Sequence, residues 1–155
     1  MWPKQSECNS FYGDPLNPHF VDNLVGVQFP WMCVTSWDGK PYRRVQVHKL
    51  CAESLQRVLM AIWDAAGHSQ DKINEWGLNK CGGGYSFRKM RNGTSLSMHS
   101  YGCAIDFDPD RNGFGDPSPH FAQCPEVLKA FADEGWEWGG DWHTKDGMHW
   151  QAARA

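Results

Sequence analysis

The stretch SLSMHSYGCAIDFD, Ser95 to Asp108, places His99 seven residues before Asp106, with the small residues Gly102 and Ala104 between them. From Tyr101 onward the pattern alternates. Tyr101, Cys103, Ile105 and Phe107 fall on one side of a strand, and Gly102, Ala104 and Asp106 on the other. An offset of seven sends His99 and Asp106 to opposite faces of one unbroken strand. The two meet only if the backbone is irregular between them, and Gly102 is the residue that permits a bulge or a turn. This predicts His99 on a loop or bulge leading into the strand that carries Asp106.

A second cluster, GGDWHTKDGMHWQ from Gly139 to Gln151, supplies His149 and, three residues earlier, Asp146. Two histidines and a carboxylate can hold a zinc ion and leave a position open for water. A further carboxylate beside that water can serve as a base. On this reading the rest of the chain brings the two stretches together.

Outward from these stretches, Leu55, Val58, Leu59, Ile62 and Ala66 recur at three- and four-residue spacing, which predicts a helix over 48–66 with one apolar stripe. Gly67 is its stop. Asp71–Trp76 reads as a short helical turn. Cys81 to Gly84 breaks regularity and leads into Tyr85–Arg88, read as a strand. Pro125 suits the first position of a helix that runs to Gly135. Trp136–Trp138 and Met148–Gln151 read as short closing strands. Strands around two helices, without β-α alternation, predict an α+β domain built on a small antiparallel sheet packed with helices.

The length of 155 residues predicts one domain, 1–155, with a loop-rich part over 1–47 and a core over about 48–151. Net charge is −3 with no basic run, which argues against partners held through phosphate neutralisation and against a polybasic membrane surface. Nine Trp point to an aromatic-walled cleft as well as a core. The opening MWPKQSECNS has no apolar stretch, so synthesis in the cytoplasm without a signal peptide is expected. None of the six cysteines forms a C-x-x-C pair, and the expectation is buried, reduced thiols.

Other features are set aside. His143 reads as an exposed loop histidine, and His19, His48, His68 and His120 as structural or surface groups. Trp138 and Trp142 could wall a pocket or fill the core. Asp108 to Gly113 imitates the start of a calcium loop, but Pro119 stands where a bidentate Glu belongs, so a turn is expected.

Ser97-Met-His99-Ser-Tyr-Gly102-Cys-Ala104-Ile-Asp106 resembles the S-x-H-x-x-G-x-A-x-D signature of a zinc peptidase family. That family contains D-alanyl-D-alanine carboxypeptidases and the L-alanyl-D-glutamate endopeptidases of phage lysis. Trp136 to Trp142, followed by Asp146-Gly-Met-His149-Trp, resembles its C-terminal signature, and Tyr85–Arg88 the segment with its substrate-binding arginine. The resemblance runs from about Trp31 to Gln151. It implies a hedgehog-type peptidase fold with His99, Asp106 and His149 as ligands of one zinc ion. Asp146 would be the general base, although many relatives carry Glu there. Arg88 would bind a substrate carboxylate or carbonyl and stabilise the oxyanion, and Ser97 would support it by hydrogen bonding. The implied substrate is a peptidoglycan stem peptide, cut by a monomeric phage endolysin acting on the wall after release. A D-alanyl-D-alanine carboxypeptidase and a non-catalytic zinc-containing binding domain are the alternatives.

Overall fold

In the computed structural model, which describes residues 1–91 and 93–155, the chain forms α1 (Cys8–Tyr12), β1 (Leu24–Gln28), β2 (Val34–Thr35), β3 (Arg44–His48) and α2 (Lys49–Ala65). It continues through α3 (Gln70–Trp76), β4 (Lys80–Gly83), β5 (Ala104–Phe107), α4 (Pro125–Asp133), β6 (Glu137–Trp138) and β7 (His149–Gln151). The predicted apolar stripe is the buried face of α2, where Leu55, Val58, Leu59 and Ile62 are fully covered. Ser54, the polar residue on that face, accepts from the Trp136 indole and donates to Glu134, each at 2.9 Å. The helix starts where His48 Nδ1 accepts the Leu50 N–H, and it packs on α4 and β1. Pro125 opens α4, and Gly135, at φ +77°, follows its end.

The class is α+β, as read from the sequence, but the main sheet is mixed rather than antiparallel. Its order is β2-β4-β5-β7-β6, with β2 and β4 parallel and the other neighbours antiparallel. The chain passes through β3, α2 and α3 between β2 and β4, and a crossover of that kind returns the strand in its original direction. β1 and β3 form a separate antiparallel pair.

Two strand boundaries also differ from expectation. Tyr85–Arg88 is irregular, and the strand lies on the glycine run just before it. The reason is close packing. A Cβ on Gly82 would lie 2.9 Å from Asp106 Cβ, and one on Gly84 2.4 Å from the Gln46 carbonyl oxygen. Glycine is what lets β4 lie against β5. The strand expected over 101–107 begins only at Ala104, because Met98–Tyr101 form a 3₁₀ turn.

Behind the sheet, Trp150 stacks on Phe131 with ring centroids 4.5 Å apart and meets Phe121 edge-on at 4.8 Å. It is fully buried. Among the described residues no acceptor meets its indole N–H. All six cysteines are buried and unpaired, and burial pushes Cys33 and Cys51 up to about 12. The calcium-like segment is a turn. Arg111 Nε donates to Asp108 Oδ2 at 2.6 Å, and the Asn112 amide bridges the Asp108 carbonyl and the Phe121 N–H, each at 2.9 Å. Among the described residues no helix is long and apolar enough to cross a membrane.

Candidate metal centre and cleft

Strand register builds half of the site. β5 and β7 pair antiparallel with Asp106 directly opposite His149. Neighbouring residues on a strand alternate faces, so His149 and Gln151 share the face of Asp106 while Trp150 turns to the core. His99 reaches the same point from the 3₁₀ turn, and Gly102, at φ +70°, redirects the chain into β5. A Cβ on Gly102 would lie 2.7 Å from the His48 backbone nitrogen, so the turn is pressed against the start of α2. The irregularity required between His99 and Asp106 is therefore a turn with a left-handed glycine.

His99 Nε2 and His149 Nδ1 lie 3.1 and 3.0 Å from Asp106 Oδ1 and 3.2 Å from each other. The three side chains are buried. Tetrahedral zinc with bonds of about 2.0–2.1 Å separates its ligand atoms by about 3.3 Å, close to this spacing. The outer atoms set the inner ones. His99 Nδ1 lies 2.8 Å from the Gly84 carbonyl, which can only accept, so Nε2 presents a lone pair inward. His149 Nε2 lies 2.8 Å from Gln151 Oε1. The Gln151 amide nitrogen faces Glu137 Oε2 and the Ala153 carbonyl, both at 3.3 Å, which turns its oxygen toward His149. Two histidines, each with its outer nitrogen on an acceptor, and a carboxylate between them fit a divalent zinc-type ion.

Burial opposes charge on Asp106, but His99 and His149 hold its carboxyl well below the usual carboxylate range. Burial likewise opposes charge on His149, and the hydrogen bond and charge of Asp106 overcome it and raise His149. Ligation needs both histidines neutral, so ion and proton compete for this point.

The trio opens into a cleft of about 250 Å³, lined also by Arg88, Arg91, Ser97, Phe114, Trp142 and Asp146. Burial lifts the Asp146 carboxyl above its ordinary value, with His149 opposing. Among the described residues that carboxylate makes no ion pair or side-chain hydrogen bond. Arg88 Nη2 stands 3.9 Å from Asp106 Oδ2, with its side chain half-exposed. Ser97 makes a turn bond, its hydroxyl accepting the His99 N–H at 3.2 Å. Trp142 walls the cleft with its ring 5.5 Å from that of His149, whereas Trp138 is core, donating to the Gly147 carbonyl at 2.8 Å. His143 is exposed.

Gln151 and the Gly84 carbonyl were not singled out from the sequence. The strand period of two could have found Gln151, two residues beyond His149. A backbone carbonyl leaves no such trace. Gln151→Met should weaken zinc binding by about 10–100-fold. Competition with a chelating dye measures this directly, and unchanged affinity would mean that Gln151 does not orient His149.

Residues 91–152 match the family model described as D-alanyl-D-alanine carboxypeptidase. No curated protein and no solved structure matches the chain. The matched segment holds His99, Asp106, Asp146 and His149 and leaves Arg88 just outside. Over that segment the chain is similar to a zinc peptidase family, and the match together with the buried His-Asp-His group supports a metallopeptidase.

Proposed function

We propose that the protein is a zinc-dependent peptidase that hydrolyses a peptide bond in peptidoglycan stem peptides, as an L-alanyl-D-glutamate endopeptidase in phage-driven lysis. The carrying observation is the convergence of His99 Nε2, His149 Nδ1 and Asp106 Oδ1 beside the Asp146 carboxylate, which has no side-chain partner among the described residues, in one cleft. His99, Asp106 and His149 would hold the ion, which when bound supplies Lewis acidity toward a water and a carbonyl oxygen. Asp146 accepts the proton of the attacking water and returns it to the leaving amine. The Arg88 guanidinium donates to the carbonyl oxygen as negative charge develops there. Ser97 holds the turn that carries His99. The protein would be made in the cytoplasm and act on the wall after release.

A D-alanyl-D-alanine carboxypeptidase is the second reading, favoured by the description of the matched family. Digestion of purified peptidoglycan by the zinc-loaded protein, read by mass spectrometry, separates the two. New N-terminal D-glutamate marks the endopeptidase, and released D-alanine marks the carboxypeptidase. An undigested wall would refute both.

A further inference from the structure

The pairing of residues 88–90 with 95–97 lies along one side of the cleft. Lys89 and Leu96 pair antiparallel, the Met90 N–H donates to the Ser95 carbonyl at 2.8 Å, and the Ser97 N–H donates to the Arg88 carbonyl at 2.8 Å. Two arginines line one cleft, and the role proposed for Arg88 leaves Arg91 unused. The Arg91 guanidinium carbon stands 4.9 Å from the centroid of the Phe114 ring. Phe114 in turn pairs through its backbone with Asp146. Among the described residues no carboxylate lies within ion-pair distance of Arg91.

A guanidinium stacked on a ring has one face covered and its planar fork held in place. Its N–H edges remain available for a bidentate carboxylate. Arg91 is also near enough to Asp146 for its charge to act on that carboxyl. A positive group that stands over a ring, meets no carboxylate among the described residues and lies beside the base is placed to receive negative charge from whatever occupies the cleft.

We propose that Arg91, set by Phe114, is a specificity residue that binds a free carboxylate of the substrate distinct from the scissile carbonyl, so that the cleft selects acidic peptides. This rests on the peptidase reading above and names the substrate chemistry that it requires.

The test uses the stem peptide L-alanyl-γ-D-glutamyl-L-lysyl-D-alanine and its counterpart with the D-glutamate α-carboxylate capped as a carboxamide. Binding is measured by calorimetry on the zinc-loaded full chain in the Asp146→Asn background, which prevents turnover. With Arg91 present the acid should bind about tenfold more tightly than the amide, the scale of one partly exposed charge-assisted contact. Arg91→Gln should bring that ratio close to one, and Arg91→Lys should keep part of it. An unchanged ratio in Arg91→Gln, or no binding of either peptide, overturns the proposal. Hydrolysis by the unmutated protein is scored separately. A wall left uncut beside a preference that vanishes in Arg91→Gln would refute the peptidase reading and leave the carboxylate site standing.

Discussion

Asp146→Asn should lower kcat on peptidoglycan by about 10²–10⁴-fold, the usual range for losing a positioned general base, while bound zinc stays at the wild-type level. The amide matches the carboxylate in shape, so the cleft keeps its form, but it cannot take a proton from water. Asp146 lies outside the trio that brings donor atoms within 3.2 Å of one another, so its loss leaves the ligand set whole. Activity assays and metal analysis on the same preparation decide the matter. Activity within a few-fold of wild type would place the base elsewhere. Loss of zinc would make Asp146 a ligand. A non-catalytic binding domain would keep its partner affinity through this change, so the variant also separates enzyme from binding module.

The second large effect is on stability. Trp150→Ala should cost about 3–5 kcal/mol and lower the melting temperature by roughly 10 °C. Trp150 fills the space between the sheet and α4, stacked on Phe131 and touching Phe121 and Trp138, with no exposed surface. Truncation leaves a hole that three rings cannot collapse into. Trp150→Phe should cost about 1 kcal/mol or less, because it keeps an aromatic ring and removes a buried N–H that meets no acceptor among the described residues. Urea unfolding of both variants measures the difference. Equal losses would show that the indole N–H finds a partner after all. Because His149 precedes Trp150 on β7, the alanine variant should also bind zinc less tightly.

The α2 and α4 helices were legible because an apolar stripe at helical spacing has one physical solution. The meeting of His99, Asp106 and His149, with Asp146 in the same cleft, was legible because metal-ligand chemistry admits few residue types. The demand that Gly102 break the strand followed from period-two geometry alone, and the left-handed turn meets it. The glycine run 82–84 misled because strand propensity is a statement about side chains. Here the absence of side chains lets the run pack, since β5 passes too close for a Cβ at Gly82 and β3 too close for one at Gly84. The parallel pairing of β2 with β4 was invisible because it depends on a path through three intervening elements. Arg91 left no spacing signal, since its place over Phe114 is set by a contact between distant loops.

The two histidines are oriented by partners of different kinds, and this sets how the centre can change over generations. His99 leans on the Gly84 carbonyl, an atom that every residue type would supply. Adding any side chain at position 84 would also push into the Gln46 backbone. That half of the centre is closed to adjustment by point mutation. His149 leans on a side chain, Gln151, itself steered by the Glu137 carboxylate. A codon change at either of these positions alters the basicity or aim of one ligand and leaves the ligand set intact. Drift in metal affinity among descendants of this chain should therefore be written at positions 137 and 151, while position 84 stays glycine.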